Sequence, residues 1–567
     1  MRLIQVKGYC SQRDNKRKIV SFIISFLLVC LSVTAQKKDD KHPIINVLDY
    51  VFDIELNDNN DTLKAISQLH FSVVKESAVI LIDLVSIKSN GKGMRVITVA
   101  ENNRSLPFSH SNDLLRINGA FKAGEERNIS IQYKGIPADG LIISKNKYNQ
   151  RGFFADNWPN RARNWLACID HPGDKAGADF IVKAPSHYQV VSNGILIEET
   201  NLPHDVKLTH WHEPVSLPTK IMTIGVAEFA VGMAGQVANT RSIRDSGDLL
   251  SAEPNTPCVP VPVTSWVFPQ DRDKGFTDYA AAVEILPFFI KHIAPFPYQK
   301  LANVQSKTVF GGMENAGAIF YAESSVTGSR KSEKLIAHEI VHQWFGDMAT
   351  EADWSHLWLS EGFATYLSLM YLENKYGADT LRKELLIARK KVIAFSKERF
   401  KPIVDTSASD YMSLLNPNAY QKAGWVLHML RKQVGDSLFW KGIRLYYSRF
   451  SGKNAVTDDF RKAMEEVSGK NLQQFFTQWL LWPGHPKLDI AWKYDNVKKQ
   501  VFVTVMQKQS QVFQFPLVIQ IEGPEGTLFK STLIKEKETT YTIPMNSAPE
   551  KFTIDPNMSL LYEGDGM

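Results

Sequence analysis

Cysteine is scarce in this chain of 567 residues: there are four, and Cys10 and Cys30 lie in a leader-like N-terminus. Cys168 and Cys258 remain, too few and too far apart for a disulfide framework; they pair or stay buried. A charge excess is missing too. The formal net charge is +6, and residues 1–35 supply +5 of it through six basic side chains and one acid, Asp14. The rest of the chain is close to neutral, so a basic surface for nucleic acid or an anionic membrane is not expected. A membrane-spanning run is also lacking: the apolar segment from Ile19 to Val33 is too short. With the basic stretch before it and Val33-Thr34-Ala35 after it, it reads as an export signal cut after Ala35. Retention as an anchor is the alternative, and Val29 before Cys30 is bulkier than a lipidation site usually carries. No internal repeat or low-complexity run is present. The expected location is outside the cytoplasm, periplasmic or at the cell surface.

What is present is ample core material, with 44% hydrophobic and 11% aromatic residues. A mature length of about 530 residues suggests three or four domains. After the leader (residues 1–35), residues 36–237 read as β. Runs such as Asp49–Leu56, Leu69–Val74, Val79–Leu84, Met94–Val99, Ile129–Tyr133 and Ala178–Val182 are short and apolar or alternating. Polar clusters such as Asn57–Asp61 separate them, which argues a sheet or sandwich. A Pro-rich linker, Pro254–Pro262, leads to a mainly helical region over 258–482. Residues 487–567 return to β and fit one small sandwich. The fold class is α+β with several domains.

The helical region holds His338-Glu339-x-x-His342 and, after eighteen intervening residues, Glu361. Helical positions four apart differ by about 40° of rotation, so both imidazoles leave one face and can grip one ion. Glu339, about 60° from His342, can sit beside that ion without binding it. This is the pattern in which two His hold zinc and the Glu acts as general base. Leu335, Ile336, Ile340, Val341, Trp344 and Phe345 fill the other faces, and Ser332 stands where an N-cap belongs. Polar groups on so buried a helix need a partner, and a metal supplies one. A second helix, from about Trp354 to Tyr376, brings Glu361 to the open side of the His pair, with a fourth position left for water.

Three further stretches stand out. A strand over 304–310 runs into Gly311-Gly312-Met313-Glu314-Asn315, where paired glycines permit close backbone approach; a plain turn explains them equally. Phe153 to Trp165 concentrates aromatics, Arg and Asn, as a structural knot or as a cleft wall. Tyr420, taken alone, is a structural tyrosine. Asp170 and His171 are explained by a turn before Pro172 and are not expected to bind metal.

Together, Gly311-Gly-Met-Glu-Asn315, His338-Glu-x-x-His342 with Glu361, the run Trp358-Leu-Ser-Glu-Gly-Phe-Ala364 and Tyr420-x-Lys422 resemble the gluzincin zinc aminopeptidases, the family of aminopeptidase N and leukotriene hydrolase. The resemblance implies a thermolysin-like catalytic domain and one zinc ion on His338, His342 and Glu361. It implies Glu339 as base and Tyr420 as oxyanion donor. Gly311, Gly312, Met313, Glu314 and Asn315 would bind substrate, with Glu314 on the free N-terminus of a peptide. The chain departs from the family in three places. Gly312 stands where Ala is frequent, Ala423 follows Lys422 where Gly is usual, and Trp158 falls where a Gln or Glu often adds a second amine anchor. The large helical C-terminal domain of the longest members is absent. Two rivals use the same fold: a thermolysin-type endopeptidase and a non-catalytic peptide-binding protein.

Overall fold

The structure, a computed structural model, describes residues 44–240 and 259–564. The leader, most of the Pro-rich linker and Cys258 lie outside the described residues. Cys168 is buried with a free thiol.

Alternation dictates the N-terminal architecture. In Ile45–Glu55 the side chains of Val47, Tyr50, Phe52 and Ile54 point inward while their neighbours face out. The strand pairs antiparallel with Leu63–Val73 and parallel with Lys175–Pro185, setting the Phe52 and Phe180 rings 5.2 Å apart. These three strands are the middle of an eight-stranded sheet. A smaller sheet orders Gln189–Ser192, Ile224–Ala227, Arg151–Ala155 and Leu141–Lys145 side by side. It packs toward the catalytic domain, where Phe154 meets Phe320 edge-on at 6.1 Å. Arg151–Ala155 thereby delivers the following Asp156–Pro159 segment to the cleft.

The strand Ala230–Val237, read from sequence as part of the N-terminal domain, pairs instead with Val261–Val267. It opens a five-stranded sheet that continues through Leu301–Ser306 and Ala318–Ala322 to the two-residue edge strand Gly312–Met313. Its partner lies beyond the linker, so local pattern could not assign it. On this sheet rest α1 (Arg272–Tyr279) and α2 (Ala281–His292). Then come α3 (Glu333–His342), α4 (Trp358–Tyr376), α5 (Ala378–Glu398) and α6 (Ala423–Val434). α4 is buried on nearly every face along its first four turns, as expected for the central helix of a packed domain. Gly362 on α4 allows α6 to approach: a Cβ there would lie 2.6 Å from Cβ of Ala423. The methyl group at Ala423 is thus accommodated from the opposite helix. α7 (Asp436–Phe450) and α8 (Thr457–Ser468) complete the outer layer.

The C-terminal part is a four-stranded and a three-stranded sheet, with Gln500–Gln507 and Phe515–Gly523 as their central strands. No helix among the described residues is long and apolar enough to cross a membrane.

Candidate metal centre

Helical geometry stacks His338 and His342 on one face of α3, with their Nε2 atoms 3.2 Å apart. α4 packs across that face and brings Glu361 Oε2 to 3.3 Å from His338 Nε2 and 3.4 Å from His342 Nε2. Two imidazole lone pairs facing a carboxylate oxygen repel unless a cation lies among them. Glu361 Oε2 has no hydrogen-bond donor among the described residues. A second overlapping group, Glu314, Glu339 and His342, also has its donor atoms within 4.8 Å of one another. Three buried carboxylates and two imidazoles thus converge, a donor set suited to a zinc ion held by N and O ligands.

The field of the cluster agrees. Burial lowers the pKa of His342, but Glu361 and Glu314 outweigh it and carry the group up to about 10. Burial, reinforced by Glu314 and Glu361, pushes Glu339 well above the carboxylate range. In both cases the cavity favours added positive charge, which a divalent cation provides.

The imidazole of His342 is oriented from behind. Its Nδ1 lies 3.0 Å from Ser360 Oγ and 3.2 Å from the Phe345 carbonyl, two acceptors that keep the proton on Nδ1 and turn the Nε2 lone pair inward. The chain passes close here: at Gly346 (φ 117°) a Cβ would sit 2.3 Å from Ser360 Oγ. Ser332 has no capping bond to α3; its hydroxyl donates to the Ser325 carbonyl at 2.6 Å.

Gly311 and Gly312 lie against α3, and a Cβ on Gly312 would meet Glu339 Oε1 at 2.4 Å. The glycine pair is therefore a place of close approach as well as a strand edge. Glu314 and Asn315 are buried, and Glu314 Oε1 and both side-chain polar atoms of Asn315 have no hydrogen-bond partner among the described residues. Gln343, next to His342, fixes this loop to α3. Its Oε1 accepts from Gly317 N at 2.8 Å, and its Nε2 donates to the Glu314 carbonyl at 2.9 Å and to Asp347 Oδ2 at 3.0 Å. Tyr420 stacks beside His338, ring centroids 6.0 Å apart. Burial, then Glu361 and Glu314, hold its hydroxyl well above the usual tyrosine pKa, so it stays a proton donor at neutral pH.

The Gly311–Glu314 segment, the His338, Glu339, His342 and Glu361 cluster and Tyr420 line a cavity of about 630 Å³ whose carboxylates are Glu314, Glu339 and Glu361, whereas Asn315, expected at the substrate, lies behind that lining. Trp158 forms one wall, edge-on to Phe310 at 6.1 Å and to Trp354 at 5.4 Å. Its neighbours are committed elsewhere. Asp156 accepts from Arg161 Nη2, Thr308 Oγ1 and Val309 N. Asn157 bonds the Thr219 and Met222 carbonyls and Trp165 Nε1. Asp170 is paired with Arg163. The aromatic–Arg patch is thus both things the sequence allowed: a structural knot with one face in the cleft. Sequence reasoning missed Ser360 and Gln343, whose only signal was adjacency to ligands.

A helical pair of histidines completed by a glutamate from the next helix defines the gluzincin class of metal site. Residues 46–221 match the peptidase M1 N-terminal domain and residues 278–479 the peptidase family M1 domain; the chain belongs to peptidase family M1, for which zinc is the implied cofactor. It is 27% identical over 466 residues to probable aminopeptidase 2 of Sulfurisphaera tokodaii, covering 79% of this chain and 56% of that protein. The chain thus spans little more than half the length of that relative. Among solved structures it resembles Legionella pneumophila aminopeptidase A in complex with aspartic acid, with a TM-score of 0.78 and 17% identity over 93% of this chain and 60% of that one. It also resembles the M1 zinc metallopeptidase of Deinococcus radiodurans, with a TM-score of 0.63 and 21% identity over 78% and 94%. Both likenesses are of fold.

Proposed function

We propose that this protein is a zinc aminopeptidase that removes N-terminal residues from peptides. The observation that carries this reading is Glu314: a buried carboxylate with an unpartnered oxygen, beside the metal cluster and open to the cavity. A peptide's free ammonium satisfies it, and the length of one residue then fixes which bond reaches the cluster. An endopeptidase gains nothing from such a group and loses by desolvating it beneath an uncharged chain.

His338, His342 and Glu361 hold the metal, which when bound supplies a Lewis acid that makes water nucleophilic near neutral pH. Glu339 takes the proton from the attacking water and returns it to the departing amine. Tyr420 donates a hydrogen bond to the carbonyl oxygen as negative charge builds there. The free edge of Gly312–Met313 aligns the peptide backbone as an added strand. We also propose export, on the strength of the basic and apolar leader, with cleavage after Ala35; N-terminal sequencing of protein secreted by the native host tests it.

The function is tested with aminoacyl chromogenic substrates and their N-acetylated forms, alongside metal analysis. Glu339→Gln is expected to keep one zinc per chain and lose about 10²- to 10⁴-fold in turnover. Glu314→Ala should lose the preference for a free amine. Full activity in Glu339→Gln, or equal cleavage of blocked and free substrates by the wild type, would overturn the reading.

A further inference from the structure

The cleft has a direction, and its far end carries a charge that the chemistry above does not use. The Gly311–Glu314 segment runs alongside α3 in the same sense. A Cβ on Gly311 would lie 3.8 Å from Leu335, one on Gly312 would meet Glu339, and the Glu314 carbonyl takes a bond from Gln343. The amine anchor therefore sits at the C-terminal end of the metal helix. A peptide held there, with its first bond at the cluster, must continue toward the N-terminal end of α3. α4 runs antiparallel beside it, since Tyr371 donates to Glu333 at 2.9 Å. Thr365 and Ser368, beyond Glu361, thus line the same outgoing half as Leu335, Lys334 and Lys331.

That half is basic. Lys334 is exposed and paired with Glu384. Glu333, the acid between the two lysines, is engaged by Lys375, Tyr371 and Tyr376. Lys331 is exposed, lines the cavity and has no ion-pair partner among the described residues. The cavity is thus anionic at the amine end and cationic at the outgoing end, matching a short zwitterionic peptide. Lys331 lies two residues ahead of α3; the five helical steps from Glu333 to His338 rise about 7.5 Å at 1.5 Å per residue, to which the two turn residues before the helix add. An extended peptide advances about 3.3 Å per residue, so the span corresponds to about three residues past the cleaved bond.

We propose that Lys331 captures a carboxylate two to three residues beyond the cleaved bond, making tri- and tetrapeptides with a free C-terminus the favoured substrate class. This rests on the aminopeptidase reading, because Glu314 sets the polarity of the bound chain. The contact is charge-assisted but solvent-exposed, so salt weakens it.

The test measures binding without turnover: titration of Glu339→Gln, loaded with zinc, with Ala-Ala-Ala and Ala-Ala-Ala-Ala as free acids and as C-terminal amides. The acids are expected to bind about five- to tenfold more tightly at low salt, with the margin shrinking at about 0.5 M salt, where the Debye length is about 4 Å. Adding Lys331→Gln should bring the acid-to-amide ratio near one, and Lys331→Glu should invert it. A tetrapeptide amide with Glu at its third position separates the two sources of carboxylate: tight binding assigns the site to acidic side chains as well as chain ends. Equal affinity for acids and amides, or an unchanged ratio in Lys331→Gln, overturns the proposal. A one-residue chromogenic substrate ends short of Lys331 and reports the amine-directed reading separately, so the two failures are distinguishable.

Discussion

Replacing Gln343 by methionine keeps the length of the side chain and removes three hydrogen bonds at one point. Gly317 N–H, the Glu314 carbonyl and Asp347 Oδ2 all lose their partner, in a place where Gln343 and Asp347 are wholly buried. Asp347 is the worst affected, because its Oδ1 already has no partner. Each buried group left unpaired costs about 1 to 3 kcal/mol, so the variant should lose about 3 kcal/mol or more. The loss is directional: what it loosens is the tie between the loop bearing Glu314 and the helix bearing His338 and His342. The assay is urea denaturation of the zinc-loaded protein followed by tryptophan fluorescence, with KM for an aminoacyl substrate measured in parallel. The urea midpoint should fall and KM should rise while zinc content stays at one per chain, since neither histidine is touched. Gln343→Glu keeps an acceptor for Gly317 but loses both donations and places a new carboxylate against two acceptors, so it should fare no better. A Gln343→Met protein with the wild-type midpoint and KM would refute the clamp.

Removing the metal with a chelator should lower the thermal midpoint, and zinc should restore it; a metal held a thousandfold above its Kd contributes about 4 kcal/mol. Glu361→Ala is expected to show neither change, because its cluster is already broken. Lys422 is buried, its ammonium having only the Trp482 carbonyl at 3.4 Å among the described residues, and burial brings its pKa down to about 7. The unfolded chain then binds that proton more tightly, so the penalty is complete below pH 7 and is relieved as pH rises toward about 10. Lys422→Met should therefore be more stable at pH 7 and show a shallower rise between pH 7 and 10, read from urea midpoints; a steeper rise contradicts the assignment. Trp158→Ala removes a wall of the first subsite and should raise kcat/KM for bulky N-terminal residues relative to alanine; unchanged ratios would place the ring outside that subsite.

The strands of the N-terminal half and the helical pairing of His338 with His342 were legible because their periods, two and 3.6 residues, are written locally. The spacing to Glu361 was legible too, because it lies on the very next helix. What local pattern could not reach were contacts whose partners are remote in sequence. Ala230–Val237 reads as one more N-terminal strand, yet its partner starts at Val261, beyond the linker. Asp156 and Asn157 sit in a stretch that reads as knot or cleft wall alike until Val309, Thr219 and Met222 are found at their side chains. Gln343 looks like one more polar residue after a motif until the Gly317 and Glu314 backbones close around it.

Sequence alone thus determined which side chains can hold an ion, since ligand spacing on a helix is a matter of rotation and rise. Tertiary structure decided the direction in which charge is laid out along the cleft beside them. The direction follows from Glu314 facing one end of α3 and Lys331 the other, a relation between a strand edge and a helix that no local period encodes.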